Sequence, residues 1–243
     1  MRKYKSFKYK GMDICYFDNY YLNIGVKIID KNYIELKRIK DTKRNCVSLI
    51  KINDKKYIYK EPRNEFRIPQ RKILTFFKKG EALNTLININ KIRELYKVKN
   101  YVKPYLVIIK RENGLIDFSA ILTEYIENGR DAKYSDLDKI IFKMQEIHEL
   151  GYYHGDFNPT NFLINKNNEI KILDTQAKKM GITKYRAHYD MLTMQENYIN
   201  MKYPYSKTPS YFLALAVKKF KRLKWVSWIK EKKKKLRDKG WKI

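Results

Sequence analysis

One stretch of the chain, YYHGDFNPTNFLINKNNEIKILDTQ at positions 152–176, constrains the fold more than any other. It places Asp156 after His-Gly, Asn161 five positions later and Asp174 at the end of an apolar run. The runs NFLI and EIKILD surround the turn composition NKNN and predict a small β-hairpin, so the loop before it carries the polar residues. The stretch therefore indicates either a phosphotransfer site or a polar turn between two strands.

An amphipathic helix is predicted over residues 136–150, directly before this loop. Ser135 has the position of an N-cap, and Gly151 lies just past the last apolar residue. The predicted apolar face consists of Leu137, Ile140, Ile141, Met144, Ile147 and Leu150.

The first half of the chain has the composition of β-strands. The runs YIELKRIK, CVSLIKI and KYIYK are separated by DTKRN and ND, which predicts a three-stranded antiparallel meander over residues 33–60. YLVIIKR and DFSAILTEYI flank Asn113-Gly114, a strong hairpin signal. Between the meander and this hairpin, residues 73–96 have mostly helical apolar spacing, which is interrupted at Gly80.

Charge says something about partners. The chain has 54 Lys and Arg against 26 Asp and Glu, a formal charge of +28, which fits nucleic acid, an anionic membrane or a polyanionic substrate. Its hydrophobic content of 44% excludes a chain that is disordered throughout. Cys15 and Cys46 form neither a zinc motif nor a disulfide framework, which favours a reducing compartment.

Localisation is predicted from the apolar runs. The N-terminus lacks the apolar run of a signal peptide, and YFLALAV at 211–217 is too short to cross a bilayer. Residues 218–243 contain thirteen Lys or Arg and two acids, interleaved with aromatic and aliphatic residues. This composition is typical of a basic amphipathic segment on an anionic membrane, or of a solvated basic helix. We expect a cytoplasmic protein, held peripherally at a membrane surface.

The order of the elements is that of the protein-kinase-like fold: five strands with an inserted helix, a hinge, a long helix, H-x-D-x-x-x-x-N and a strand that ends in Asp. The fold class is α+β and bilobal, with an antiparallel sheet in the N-lobe and a mainly helical C-lobe. We expect the N-lobe over residues 1–124, the C-lobe over 125–210 and a basic segment over 211–243.

Each polar residue of the loop has a role in phosphoryl transfer on this reading. Asp156 orients the acceptor hydroxyl or accepts its proton, and Asn161 and Asp174 supply oxygen ligands to Mg²⁺ between the phosphates of ATP. His154 is interpreted as structural, because the reaction needs no histidine. His148 is interpreted as a packed histidine beside the helix.

The N-lobe supplies the predicted ATP contacts. Lys60 ends the third strand, where an ammonium meets the α and β phosphates, and Glu81 is its predicted carboxylate partner. Residues Glu124 to Ile126 form the predicted hinge, whose backbone binds adenine. Taken alone, Lys60 and Glu81 have the alternative interpretation of solvated surface residues.

Several protein-kinase features are missing from the sequence. DTKRN stands where a G-x-G-x-x-G loop is expected, so the phosphates are covered by a short turn, with Lys43 or Arg44 as candidates. Asp174-Thr175-Gln176 replaces Asp-Phe-Gly, and no Ala-Pro-Glu segment follows. These differences favour a small-molecule kinase without activation-loop control.

The chain resembles the lipopolysaccharide core heptose(II) kinases of Gram-negative bacteria. The resemblance is carried by YKGMDICYFDN, DTKRNCVSLI, FFKKGEALNTLI, ILTEYIENG, the HGDxxxxN loop and IKILDTQAK. It implies ATP-dependent phosphorylation of a heptose hydroxyl in the inner core, at the cytoplasmic face of the inner membrane. By motif match it implies roles for Lys60, Glu81, Asp156, Asn161 and Asp174.

Other predictions concern the surroundings of the loop. Asp190 is either a brace of the catalytic loop or a residue of a helix surface. Lys178, Lys179, Lys184 and Arg186 are placed to meet acidic groups of the acceptor.

Two alternatives stay open at this point. One is a kinase for another sugar, such as Kdo, or for an aminoglycoside-like alcohol. The other is a catalytically silent module that binds nucleic acid or a membrane through its charge, although a pure binder has no reason to assemble the loop residues. We expect no specific nucleic-acid binding.

Overall fold

A seven-stranded antiparallel β-sheet, covered by helices on both faces, forms the first half of the protein. The computed structural model describes residues 3–226, 228–229 and 231–232. Contacts divide the chain into two units, Met1–Glu127 and Asn128–Ile243. The division falls three residues after the predicted end of the N-lobe at position 124.

The first unit contains all strands of this sheet. They are β1 (Lys5–Tyr9), β2 (Met12–Tyr16), β3 (Ile34–Asp41), β4 (Cys46–Ile52), β5 (Lys55–Glu61), β6 (Pro104–Glu112) and β7 (Leu115–Glu124). Their order is β1-β2-β6-β7-β5-β4-β3, with every neighbouring pair antiparallel. The predicted meander is confirmed as β3, β4 and β5. Along β4, buried residues alternate with half-buried ones, as the two-residue period of a strand requires.

The predicted hairpin at Asn113-Gly114 is also confirmed. These two residues connect β6 to β7 with φ angles of 50° and 80°. Positive φ at both central residues defines the tight turn that matches the twist of the strands, and Asn-Gly adopts it at little cost.

The helices of the first unit are α1 (Tyr20–Ile29), α2 (Asn64–Arg67), α3 (Pro69–Leu74) and α4 (Glu81–Leu95). Two apolar cores lie on opposite faces of the sheet, since Leu106 belongs to one and its neighbour Val107 to the other. Helix α1 covers the first core, and α4 covers the second.

The prediction of one helical stretch from 73 to 96 is only partly right. Gly80, with φ 93° and ψ 161°, stops the helical phase in a conformation that is open essentially to glycine alone. Ile73 and Phe77 precede it and are 52% and 80% exposed, so they do not belong to the core face. Leu95, at the end of α4, is also exposed. The core face of α4 consists of Ala82, Leu83, Leu86, Ile89 and Ile92.

The N-terminal hairpin and α1 were not predicted. Strand β1 is exposed along most of its length and therefore has no alternation of apolar and polar residues. Strand β2 joins the sheet beside β6, where Ile14 lies opposite Ile108 and enters the first core. The hairpin therefore extends the sheet at its β6 edge.

Within its described residues, the second unit contains short strands and three longer helices. Its elements are β8 (Arg130–Asp131), α5 (Leu137–Glu149), β9 (Tyr152–Tyr153), β10 (Phe162–Ile164), β11 (Ile170–Ile172), β12 (Lys178–Lys179), α6 (Tyr185–Asn197) and α7 (Pro209–Arg222). Single 3-10 turns lie at Tyr134–Asp136 and Pro159–Asn161. Antiparallel pairing of β10 with β11 confirms the predicted hairpin after the loop.

Helix α5 confirms the helix predicted for 136–150, but Ser135 is not its N-cap. Asp136 holds the position before the helix, and its carboxylate accepts a hydrogen bond of 2.8 Å from the N–H of Lys133. The same carboxylate pairs with the Arg130 guanidinium at 2.6 Å, which lowers the pKa of Asp136 to about 2. The ionised Asp136, held by hydrogen bonds from Lys133 and Arg130, fixes the start of the helix. Ser135 therefore lies in the 3-10 turn before it.

The predicted basic segment 211–243 begins inside α7. Its residues 227, 230 and 233–243, which include Leu236 and Trp241, lie outside the described residues. None of the described helices combines the length and the apolar character needed to cross a membrane.

Candidate active site

Asp156 and Asn161 contact each other on the loop after β9. The side-chain amide of Asn161 donates to the Asp156 carbonyl at 2.8 Å and to a carboxylate oxygen of Asp156 at 3.3 Å. Asp156 is exposed, whereas Asn161 is buried. Because its amide nitrogen is used in this way, Asn161 keeps its carbonyl oxygen as the acceptor it can offer to a cation.

Asp190 of α6 holds the backbone of this loop in place. Its carboxylate accepts hydrogen bonds from the backbone N–H groups of His154 at 2.7 Å and Gly155 at 3.0 Å. The side chain of Asp190 is only 1% exposed. The interpretation of Asp190 as a brace is confirmed, and the helix-surface alternative is wrong.

His148 connects the same carboxylate to α5. Its Nε2 lies 3.2 Å from Asp190 Oδ2, and its Nδ1 lies 2.7 Å from the hydroxyl of Tyr205. His148 is buried, as predicted for a packed histidine. Asp190 therefore joins the loop, α5 and α6.

His154 lies inside the second unit, not at its surface. Its ring packs against the rings of Phe157 and Phe162, with centroids 6.1 and 5.5 Å away. Burial lowers the pKa of His154, so the imidazole stays neutral. A buried, neutral His154 supports the structural role predicted for it.

Asp174 follows β11 in a left-handed conformation, with a φ of 47°. The residue before it, Leu173, donates its N–H to the Asn161 carbonyl at 2.9 Å, and this bond holds the end of β11 beside the loop. The carboxylate of Asp174 is exposed. The second unit thus places Asp156, Asn161 and Asp174 on adjoining segments.

Thr175 is a positioning residue that the sequence did not reveal. Its hydroxyl donates to the His154 carbonyl at 2.8 Å and accepts the N–H of Ala177 at 3.0 Å. The side chain is buried. Thr175 therefore ties the segment that follows Asp174 to the loop that carries Asp156, and only its position next to Asp174 hinted at this role.

Lys60 lies on the α4 side of the sheet. Tyr57 and Tyr59 of β5 point into the core under α1. Because successive side chains of a strand point to opposite faces, Lys60 points to the other face. In β7 its register partner is Ile121, a member of the core under α4. This is the face where an inserted helix can present a carboxylate to the ammonium.

Glu81 and Glu65 are the carboxylates near the start of α4 on this face. Glu81 is the first residue of α4 and is half-buried. Glu65 of α2 is 6% exposed and accepts hydrogen bonds from the Ser119 hydroxyl at 2.9 Å and from the Glu81 N–H. Burial raises the pKa of Glu65. Glu65 anchors the start of α4, a role that its position outside the predicted helix concealed.

The predicted hinge, Glu124 to Ile126, follows the last strand of the sheet. The N–H of Glu124 donates to the Lys103 carbonyl at 2.9 Å, and its carboxylate accepts the Lys103 N–H at 3.1 Å. Glu124 thus secures the end of β7, and the role of the hinge in adenine binding stays a prediction.

The turn between β3 and β4 replaces a glycine-rich loop with a hydrogen-bonded one. The Thr42 hydroxyl accepts the N–H groups of Arg44 and Asn45 at 3.2 and 3.1 Å. Arg63 donates to the Thr42 carbonyl at 3.1 Å, and Arg67 donates to the Lys43 carbonyl. The turn is therefore tied to α2 and surrounded by cationic side chains.

The side chains near the loop limit which metal could bind there. Within the described residues, no three His, Cys, Asp or Glu side chains converge on one point. Asn161 and Asp174 would supply two hard oxygen ligands, and Mg²⁺ in phosphoryl-transfer sites takes most of its remaining ligands from phosphate and water. The donor set fits Mg²⁺ held jointly by protein and nucleotide.

A basic strip runs along β12 and the start of α6. In the strand register, Lys178 and Lys179 lie opposite Tyr153 and Tyr152 of β9, immediately before the loop that carries Asp156. The Arg186 guanidinium lies 5.3 Å from the centre of the Tyr153 ring. No carboxylate pairs with Lys178, Lys179 or Arg186 within the part of the chain that the structure describes.

The predicted site residues fall into two groups. Lys60, Glu81 and the hinge lie in the first unit, and the loop residues with Asp174 lie in the second. The sheet order with its inserted helix, followed by the braced loop and hairpin, defines a protein-kinase-like fold with two lobes.

Comparison with known proteins places the chain among kinases. It is 23% identical over 208 residues to the lipopolysaccharide core heptose(II) kinase WaaY of Escherichia coli, which covers 79% of this chain and 85% of that protein. The resemblance to heptose(II) kinases found in the sequence is thereby confirmed. No protein-family model matches the chain.

Eukaryotic protein kinases match shorter segments. The cell cycle protein kinase DBF2 of Saccharomyces cerevisiae is 29% identical over 143 residues, 58% of this chain and 22% of that protein. The citron Rho-interacting kinase of Mus musculus is 27% identical over 158 residues, 64% of this chain and 7% of that protein. The chain therefore spans only a small part of these two relatives.

Proposed function

We propose that the protein transfers the γ-phosphate of ATP to a heptose hydroxyl in the inner core of lipopolysaccharide. The observation that carries this proposal is the braced Asp156–Asn161 loop in a chain whose match covers 85% of WaaY. The protein kinases share the fold but extend far beyond it.

Asp156 is the group that meets the acceptor. Its side chain is exposed, whereas those of its neighbours His154 and Phe157 are buried. The carboxylate of Asp156 therefore reaches solvent, where an acceptor can approach it. The hydrogen bonds that the N–H groups of His154 and Gly155 donate to Asp190 fix the position of Asp156. A carboxylate held in this way orients the attacking hydroxyl and takes up its proton as the phosphate bond forms.

Asn161 and Asp174 would hold Mg²⁺, and residues of the first unit would contact the rest of the nucleotide. When bound, the ion neutralises charge on the phosphate oxygens. Lys60 contributes an ammonium to the α and β phosphates, and the cationic turn with Lys43 and Arg44 covers them. Backbone groups of the hinge contact adenine.

The acceptor carries negative charge on this proposal. Lys178, Lys179 and Arg186 lie beside the catalytic loop without carboxylate partners in the described part of the chain, and the whole chain carries +28. An anionic core oligosaccharide attached to lipid complements such a strip. A neutral alcohol gains nothing from it.

A protein substrate is the second candidate, favoured by the local similarity to protein kinases. Against it, α6 begins at Tyr185, so only ten residues separate Asp174 from that helix. Protein kinases use a longer segment there for activation and substrate docking. Kinases for Kdo or an aminoglycoside-like alcohol share the same loop, and acceptor screening separates them.

The test is ATP turnover with Mg²⁺ and purified, dephosphorylated lipopolysaccharide core as acceptor. Wild type is expected to incorporate phosphate into heptose, located by NMR, and Asp156→Asn is expected to lose at least about a thousandfold in turnover. Asp138→Asn, an exposed aspartate of α5, is the matched control and should retain full activity. Phosphate on Kdo or on a protein, with none on heptose, would overturn the proposed acceptor.

A further inference from the structure

Helix α7 is amphipathic, and its basic side, not its apolar side, packs against the protein. Lys218 is 8% exposed, and its ammonium lies 2.8 Å from a carboxylate oxygen of Glu196 on α6. Arg222 reaches the same oxygen at 2.9 Å, and Lys218 and Lys221 lie 4.9 and 4.6 Å from the centre of the Tyr189 ring. Contacts to α6 therefore occupy the cationic side of α7.

The opposite side of α7 is apolar and faces outward. At 100° per residue, Phe212, Leu213, Ala216 and Phe220 fall within an arc of about 100°. The exposed residues of this side, together with those just after the helix, form what we call the outer α7 face. It consists of Phe212 (57% exposed), Leu213 (52%), Phe220 (51%), Leu223 (45%), Trp225 (53%) and Trp228 (56%).

Aromatic residues hold this face together. The rings of Phe220 and Trp225 pack edge to face with centroids 5.4 Å apart. Burying such side chains gains about 1.5–3 kcal/mol each, and here their exposure forgoes that gain. Exposed large apolar side chains gathered on one side of a helix mark a site that another surface covers.

We propose that the outer α7 face docks on the surface of an anionic phospholipid bilayer. Trp and Phe side chains partition into the headgroup region, and neighbouring lysines attract anionic lipid. Lys219 and Lys224 flank the face, and residues 218–243 hold thirteen Lys or Arg and two acids. The apolar side and the charge together match a bilayer.

A second copy of the chain is a poorer occupant. Pairing two outer α7 faces would bring together the exposed Lys219 and Lys224 of both copies, in a chain of net charge +28, and the repulsion would oppose the contact. Docking on lipid goes beyond the proposed phosphorylation and does not depend on it.

Intrinsic fluorescence offers a direct test, because all three tryptophans, Trp225, Trp228 and Trp241, lie in this segment. The full chain is mixed with vesicles of phosphatidylcholine alone or of phosphatidylcholine with phosphatidylglycerol. With the anionic vesicles we expect a blue shift and co-flotation, both weakened by salt. With neutral vesicles we expect binding at least about tenfold weaker.

Variants locate the contact. Phe212→Ser with Phe220→Ser should weaken binding to anionic vesicles at least about tenfold, because two apolar anchors are lost. Phe76→Ser with Phe77→Ser, exposed aromatics of the first unit, is the matched control and should bind like wild type. Circular dichroism checks that both pairs stay folded.

Three results would overturn the proposal. They are equal binding to neutral and anionic vesicles, equal binding by the two variant pairs, and a lipid-free dimer that the Phe212/Phe220 pair dissociates. Turnover of ATP with a lipid-free core acceptor is measured in parallel and should be the same in both pairs. A failure of lipid docking is thereby distinguished from a failure of the kinase proposal.

Discussion

The carboxylate of Asp190 accepts a 2.7 Å hydrogen bond from the backbone N–H of His154. A second bond from Gly155 and the contact with His148 complete its environment. The loop that presents Asp156 is therefore positioned by a buried side chain of α6, and its geometry depends on a residue far away in sequence.

Replacing Asp190 with Asn should damage both stability and activity. Asn has one carbonyl oxygen for two backbone donors, and its NH₂ group would face one of them. Leaving a buried donor unpaired costs about 1–3 kcal/mol, and we expect the free energy of unfolding to fall by that amount in urea titrations. A shifted loop should lower kcat by about 10–100-fold.

Asp138→Asn is the control for this substitution, since Asp138 is an exposed aspartate of α5. A stability loss without a loss of kcat would mean that Asp190 holds the fold but not the loop geometry. Normal kcat in Asp190→Asn thus contradicts its role as a positioning residue.

Glu65 and Glu81 should differ sharply when each is changed to Gln. Glu65 is buried and bonded to Ser119 and to the backbone of Glu81, so Glu65→Gln should lower the free energy of unfolding by about 1–2 kcal/mol. Glu81→Gln should change it by less than about 0.5 kcal/mol, because the side chain is half-buried at a helix start.

Activity then decides which carboxylate serves Lys60. If Glu81 is the partner, as the sequence predicts, Glu81→Gln should raise the KM for ATP while stability stays normal. An unchanged KM in Glu81→Gln and a raised one in Glu65→Gln would assign the partnership to Glu65.

Much of the fold was predictable because local patterns agree with it. Alternation in β4, the Asn113-Gly114 turn and the apolar face of α5 each follow from residues close in sequence. The loop residues Asp156 and Asn161 were likewise found by spacing. These features need no knowledge of distant contacts.

The remaining features depend on contacts between distant residues. Glu65 gains its role from Ser119, 54 residues later, and Thr175 from the His154 carbonyl. The exposed strand β1 has no apolar pattern to reveal it. Ile73 and Phe77 fit a helical period with α4, yet Gly80 separates them from its phase.

Stability should fall as the pH drops from about 7.5 to about 5.5, since the pKa values of unfolded histidines lie near 6.5. Burial lowers the pKa of His154 and of His188, so the unfolded chain binds protons first. Carboxylates such as Asp41, whose pKa is lowered by the hydrogen bond from Arg63, lose their contribution only below about pH 4.

Urea titrations across this pH range measure the effect. His154→Gln removes one of the two histidines whose pKa is lowered and should flatten the dependence, whatever it does to stability at about pH 7.5. An equally steep dependence in the variant would show that His154 is not a source of it.

The basic strip next to the loop should act on the acceptor and not on ATP. Lys178 and Lys179 are exposed on β12, beside the strand that leads to Asp156. Changing both to Ala removes two positive charges near the acceptor, and an exposed charge pair is worth up to about 1 kcal/mol. We therefore expect the KM for an anionic core acceptor to rise about 5–30-fold, with kcat and the KM for ATP nearly unchanged.

Lys166→Ala with Lys202→Ala, two exposed lysines of the same unit, is the matched control and should leave all three parameters unchanged. If both pairs raise the acceptor KM equally, the total charge of the chain attracts the acceptor, and β12 has no specific part in binding it.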